Sequence, residues 1–463
     1  MIRGTTENVK NAGVISMKIN IDYTRQYQTF EGFGVSGAWW AQLVGGRNNR
    51  DVISKLLFDR KEGIALTAYR YNIGAGSKDS GNGNIDNPLR RTESFLTDNG
   101  EYDFSKDSNA VYMMKQAIRD GAKEIVLFVN SPPEQMTKNG KSHLDPKNAF
   151  RTNLDRKNYP AFVKYCLDVT EHFVSEGLPV KYLSPVNEPV WIWTGGQEGC
   201  HYSPRQAGSL MKLFAEELEK RPALRDIKLA GVEAGDIRWF NKSYTRELLR
   251  YPQTRKRLDG VDLNSYFLHA PFPFLNNRPA FLRRFRRYMD RHYPDMPIRM
   301  SEWCHMQGGR DSSMSSALVM AKVMWEDINL LGVSSWQHWI ALSEVDYCDG
   351  LIYINLDDES YEITKRYYVT GNFSKYIPYG ARRVHADCAD SELLITAFNK
   401  DKKTVLTVIN GTEKTKKIEL PARSLFVVTD EARSLEEYEN VSEAEIAPRS
   451  VNTFVFAEGE DEK

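Results

Sequence analysis

Between residues 30 and about 340, short apolar runs alternate with longer stretches whose apolar residues recur every three or four positions. The short runs are "FEGFGVSG" (30–37), "ALTAYRYNIG" (65–74), "EIVLFVNS" (124–131), "VKYLSPVNE" (180–188), "IKLAGVEAG" (227–235), "VDLNSYF" (261–267), "PIRMSEW" (297–303) and "GVSSWQHWI" (332–340). They are near-continuous rather than alternating, as expected of strands covered on both faces. The intervening stretches, such as "NAVYMMKQAIRDG" and "YPAFVKYCLDVTEHFVSEG", have helical spacing, and several end in Gly, a common helix stop. Eight such strands alternating with helices predict an α/β fold, a (β/α)8 TIM barrel. A doubly wound open sheet is the alternative, less favoured because no Gly-rich phosphate loop follows any strand.

The pattern changes after residue 360. "ELLITAFN", "KTVLTVING", "TKKIEL", "SLFVVTD" and "VNTFVFAEG" are short strands between polar turns, which predict a C-terminal antiparallel β-sandwich domain. "MKINIDY" is a lone strand ahead of the barrel, expected to join that sandwich. The expected division is a disordered leader over 1–16, an N-terminal strand over 17–29, the barrel over 30–360 and the sandwich over 361–463.

Composition narrows the partners. Lys and Arg number 62, as do Asp and Glu, so there is no net field to attract nucleic acid or an anionic membrane. No stretch approaches the roughly 20 apolar residues of a membrane span. The first residues, "MIRGTTENVKNAGVIS", lack the apolar run of a signal peptide. A cytoplasmic location is therefore expected, or a secreted one if the sequence is not the natural precursor. Cys166, Cys200, Cys304, Cys348 and Cys388 are scattered without metal-ligand spacing, so neither a disulfide framework nor a zinc site is favoured. Aromatics make up 11% of the chain, which suits carbohydrate binding as well as core packing.

Barrel active sites lie at the carboxyl ends of the strands. There the second strand offers Arg70, the fourth Asn187 and Glu188, the sixth Tyr266, the seventh Glu302 and Trp303, and the eighth Trp336 and Trp339. Glutamates after the fourth and seventh strands would face each other across the mouth, as glycoside hydrolysis needs: one carboxylic acid protonates the leaving oxygen and the other attacks or stabilises the anomeric carbon. Arg70 beside Glu302 would keep it ionised, while a less polar setting would keep Glu188 protonated. Alone, Glu188 reads as a solvated loop residue, and Arg70 as readily as a structural ion-pair partner. Trp40, Trp191, Trp193 and Glu198 join the substrate-binding candidates. Glu233 is kept as a further contact near a strand end. His143, His269, His305 and His338 read as packing residues.

At these residues the chain resembles glycoside hydrolase family 30. "FEGFGVSGAWWAQ", "RYNIG", "NSPPEQM", "SPVNEP", "SEW" and "YYVTGNFSKYIPYGARR" carry the resemblance in order. It implies a retaining reaction with Glu188 as acid/base and Glu302 as nucleophile, no cofactor, and a carbohydrate substrate. The "GFG-x-S-x-AWWA" form and "QEGC" look most like endo-β-1,6-galactanases. One departure is Gln135, where family members often carry an aromatic; Trp191 or Trp193 would have to supply that stacking surface. The expected function is hydrolysis of a β-1,6-galactan-type saccharide. The alternatives are another family activity (β-glucosidase, β-xylosidase, β-fucosidase or endo-xylanase), transglycosylation, and a non-catalytic carbohydrate-binding barrel.

Overall fold

The computed structural model describes residues 16–80, 85–148, 150–238 and 241–457. Its barrel consists of β1 (Phe33–Ser36), β2 (Ala68–Asn72), β3 (Glu124–Phe128), β4 (Val180–Ser184), β5 (Lys228–Leu229), β6 (Val261–Asn264), β7 (Ile298–Trp303) and β8 (Val333–Ser343). All neighbours are parallel, and β8 pairs with both β1 and β7. The ring closes between β5 and β6 through parallel bridges at Leu229–Leu258 and Ala234–Leu263. Every residue of β2 and β3 is buried, which is why these strands read as unbroken apolar runs.

Helix boundaries follow local chemistry. The helix Pro204–Leu218 starts at a reciprocal cap between Ser203 and Gln206, with Pro204 in its first turn. The helix Met314–Glu326 runs into a wider turn, Asp327–Leu331, which stops at Gly332 with φ of 74°. A left-handed conformation there costs glycine nothing in side-chain clash.

Beyond β8, Gly350–Ile354 pairs parallel with β8, and Tyr361–Ile363 pairs antiparallel with it in turn. The helix Lys365–Ser374 follows, and the C-terminal sheet begins only at Ala381–Asp387. The change of sheet thus falls about 20 residues later than the loss of helical periodicity indicates, because the first strand after residue 360 still belongs to the barrel sheet. The C-terminal sheet has eight strands, and its long member Lys416–Thr429 shifts register between Glu419 and Ser424. Ile418 and Ala444 share an apolar core with Leu406, Val408 and Phe454, so the sheet folds over on itself. Asn20–Phe30 pairs antiparallel with Ala381–Asp387. Ser16–Lys18 pairs parallel with Lys417–Glu419, the one departure from an antiparallel sandwich. Residues 1–15 of the expected leader lie outside the described residues.

Phe30 joins the two layers: its ring lies 4.8 Å from Phe33 of the barrel and 5.3 Å from Phe398 of the C-terminal sheet. A fully buried Phe stabilises by roughly 1.5–3 kcal/mol. A second fixed point is polar. Arg278, on the helix after β6, bonds to Glu326 at 2.5 Å, to Asp327 at 2.7 Å and to Ser265 Oγ at 2.6 Å. Asp327 also accepts the indole N–H of Trp336 from β8. Arg278→Ala leaves both carboxylates buried without their cation and is expected to destabilise the fold by about 3–5 kcal/mol, read as a lower urea midpoint.

Candidate active site

Pro185 lacks the N–H that would continue the ladder, so β4 stops at Ser184 and the chain turns out into Val186, Asn187 and Glu188. Glu188 has φ of 43°. Its N–H donates to Glu233 O at 3.0 Å and its carbonyl accepts from Trp191 N at 3.1 Å, which pins this left-handed residue. Glu302 is the last but one residue of β7. Its Oε2 accepts from Arg70 Nη1 at 2.8 Å and its Oε1 from Tyr266 Oη at 3.0 Å. Glu188 Oε1 accepts only a neutral amide N–H, from Asn264 at 3.2 Å.

Arg70, in the middle of β2, is completely buried. Besides Glu302 it reaches Glu233 Oε2 at 2.8 Å and Asn187 Oδ1 at 3.1 Å, and its guanidinium lies 3.6 Å from the centre of the Phe128 ring. Asn187 donates in turn to Asn130, and Asn130 to Asn72. The mouth of the barrel is therefore floored by a connected polar network.

Above it lies a pocket of about 500 Å³. Trp39, Trp191, Trp193, Tyr266, Trp339 and Tyr347 give it aromatic walls, with Arg90, Gln197 and Asp349 between them, and the two buried glutamates also line it. Burial pushes the Glu188 carboxyl well above the usual carboxylate range, and the Glu302 charge reinforces this. Burial also raises Glu302, but Arg70 and Tyr266 pull it back, so of the pair Glu302 ionises first.

Six of the expected residues meet at the pocket: Glu188, Glu302, Trp191, Trp193, Tyr266 and Trp339. Arg70 and Asn187 lie directly behind it. Four do not reach the wall. Trp40 is turned into the core, its indole N–H on Ser36 O at 2.8 Å, and its neighbour Trp39 lines the pocket instead. Trp336 is buried against Asp327, and Trp303 packs between Trp336 and His305. Glu198 is fully buried and accepts from Ala75 N, Ser77 N, Ser77 Oγ and Thr92 Oγ1, so it secures the loop after β2 rather than a ligand. Gln135 bonds to Asp98 on the surface, while Trp191 and Trp193 both supply aromatic wall. Trp39 belongs to the "AWW" pair that the sequence raises as a ligand surface, whereas Arg90 and Asp349 carry no such signal. Among the described residues no three His, Cys, Asp or Glu side chains are placed to share a metal ion, and all five cysteines are free. No described helix is long and apolar enough to cross a membrane.

Two buried carboxyl groups at the mouth of a (β/α)8 barrel, one clamped by a cation and one held by a neutral amide, form the arrangement of a barrel glycosidase. The family assignment agrees: residues 16–278 and 298–353 match the model of O-glycosyl hydrolase family 30, and the chain belongs to that family. It is 30% identical over 230 residues to an endo-β-1,6-galactanase of Hypocrea rufa, covering 44% of this chain and 47% of that one. The chain spans about half the length of the curated relatives it matches. Among solved structures it resembles a conserved exported protein from Bacteroides fragilis (TM-score 0.84, 22% identity, 95% and 100% of the two chains). It also resembles the catalytic domain of a family 30 xylanase from Talaromyces cellulolyticus (TM-score 0.73, 19% identity, 95% and 99%).

Gly235 tests the geometry. A Cβ there would lie 1.9 Å from Trp191 Nε1 and 2.7 Å from Glu188 Oε1. Gly235→Ala must displace both groups, so turnover is expected to fall by about 10²-fold while the melting temperature moves only a few degrees.

Proposed function

We propose that the protein is a retaining β-glycoside hydrolase with Glu302 as nucleophile and Glu188 as acid/base, acting on a β-1,6-galactan-type saccharide. The observation that carries this reading is the unequal partnering of the two carboxyl groups. Glu302 has a guanidinium and a phenol, which favour the anion; Glu188 has one amide and a dry setting, which favour the acid.

The chemistry follows from that asymmetry. Protonated Glu188 donates its hydrogen to the glycosidic oxygen as Glu302 attacks the anomeric carbon, giving a glycosyl ester and the free alcohol. As Glu302 becomes esterified its charge disappears. Glu188, now ionised, takes a proton from water, which attacks the same carbon and releases Glu302. Two inversions give overall retention. Tyr266 and Arg70 hold Glu302 in line throughout. The identity to the endo-β-1,6-galactanase supports the choice of linkage and sugar.

A panel of β-1,6-, β-1,4- and β-1,3-linked oligosaccharides and aryl β-glycosides tests the reading, with product anomers followed by NMR. Release of the β-anomer from β-1,6-galactooligosaccharides is the expected result; cleavage of none of the panel would sink it. Glu302→Gln is expected to abolish turnover. Glu188→Gln should slow natural substrates by about 10²–10⁴-fold yet largely spare aryl glycosides with good leaving groups.

The pH dependence has a defined sign. Activity of kcat/KM falls at low pH as Glu302 gains a proton and at high pH as Glu188 loses one. Because burial and the Glu302 charge raise Glu188, the alkaline limb lies above the ordinary carboxylate range, and Glu188→Gln should remove that limb alone.

A further inference from the structure

The pocket contains a third carboxyl group that the proposed mechanism does not use. Asp349 ends the loop after β8 and lines the pocket with Glu188 and Glu302. It is 5% exposed, and its Oδ1 is buried without a regular hydrogen-bond partner; the Ser343 hydroxyl, itself unpartnered, is the polar neighbour that most offsets its burial. Several buried acids have cations: Glu302 has Arg70, Asp262 has Arg299, Asp327 has Arg278 and Asp236 has Arg238. Buried Glu188 and Glu198 have none, but each accepts at least one hydrogen bond. Among the described residues, no Lys, Arg or His nitrogen lies within 4.0 Å of the Asp349 carboxyl group.

Asp349 is held in place by its backbone. Its carbonyl accepts from His338 Nε2 at 2.7 Å. Burial pushes His338 down to about 3, so the ring is neutral and Nε2 carries the hydrogen. On one side Cys348 N donates to Gln307 O, and on the other Arg366 holds Gly350 O at 3.0 and 2.7 Å. These contacts fix the backbone from which the carboxyl group projects. The nearest pocket cation is Arg90, seated 4.9 Å from the centre of the Trp39 ring; its charge draws Asp349, Glu344 and Tyr347 down against the upward push of burial. The pocket thus offers a fixed acceptor and a donor alongside aromatic faces, the complement of a sugar ring with hydroxyl groups on its rim.

Position selects which sugar. β8, which leads to Asp349, pairs with β7, which carries Glu302. The Asp349 charge also acts on Cys304, two residues beyond Glu302. Asp349 therefore stands on the nucleophile's side, where the glycone sits once it is bonded to Glu302.

We propose that Asp349 is a specificity-determining residue that accepts a hydrogen bond from a hydroxyl group of the glycone, with Arg90 donating to a neighbouring oxygen. This rests on the glycosidase reading above. A sugar with that hydroxyl gives the carboxyl group a donor from the pocket; one lacking it does not, and a site built this way discriminates strongly.

The test is a series of monodeoxy aryl β-galactosides alongside the parent glycoside, with Asp349→Ala, Asp349→Asn and the wild type. The wild type is expected to disfavour one deoxy analogue in kcat/KM by about 10²-fold or more. In Asp349→Ala that particular penalty should shrink to a few-fold while penalties at other positions stay. Asp349→Asn keeps an acceptor oxygen and should recover part of the discrimination. A merely structural role would lower all substrates together. If the wild type cleaves the parent but the variants keep its full deoxy penalties, or lower every substrate equally, the assignment of Asp349 is overturned while the glycosidase reading stands. Cleavage of no glycoside by the wild type overturns both.

Discussion

The site depends on one buried guanidinium. Arg70 binds oxygens from three other parts of the ring: Glu302 on β7, Asn187 after β4 and Glu233 after β5. A charge with no solvent access is tolerated only when its neighbours compensate it, and removing a partner leaves an uncompensated ion. Yet the three buried acids around it, Glu188, Glu233 and Glu302, cannot all ionise against one cation. Burial raises Glu233 to about 7, so it too holds its charge weakly near neutrality. Burial raises most the acids with the poorest partners. Glu188, with a single amide, is the foremost of these. The division of labour between the two catalytic candidates is a consequence of charge accounting around Arg70, and neither carboxyl group would have its character in isolation.

The polar floor and the aromatic walls have different structural origins. The floor comes from strand ends and the residues just past them, held in register by the barrel ladder. The walls come from loops, and those loops are fastened by buried polar groups rather than by strand pairing. Glu198 gathers Ala75, Ser77 and Thr92, and so closes the base of the loop that carries Arg90. The loops after β7 and β8 are tied by Cys348 N on Gln307 O and by Arg310 on Glu344 O and Val345 O.

The same distinction explains what was legible in the sequence. Strands buried on both faces leave long apolar runs, so the eight barrel strands could be read, and with them the strand-end positions of Glu188 and Glu302. Direction of individual side chains could not. Trp39 and Trp40 are adjacent and chemically identical, and only the start of the short helix Trp40–Val44 turns the second into the core and leaves the first at the pocket. Glu198 carries the same functional group as the catalytic candidates, and its role is fixed by loop N–H groups far away in sequence. Trp336 lies three residues before the pocket-lining Trp339 on β8 and so on the opposite face, where its partner Asp327 lies on a turn whose approach no periodicity announces. Tyr361–Ile363 has the alternation of a sandwich strand and pairs with the barrel all the same, since strand pattern specifies burial and not the partner sheet.

Glu188 combines these constraints. It precedes Pro189, a position that favours extended backbone, and it adopts φ of 43°, where a side chain costs free energy. Such a conformation costs of order 1–3 kcal/mol and persists only if the surroundings over-determine it. They do so from both sides: the residue's N–H is held by Glu233 O, its carbonyl by Trp191 N, and Gly235 leaves room for the carboxyl group and the Trp191 ring together. An extended residue at this point would aim its side chain along another path and leave Glu302 facing an empty cavity. Glu233 thus acts twice, through its backbone on Glu188 and through its carboxylate on Arg70, and so links the placement of Glu188 to the electrostatics of Glu302.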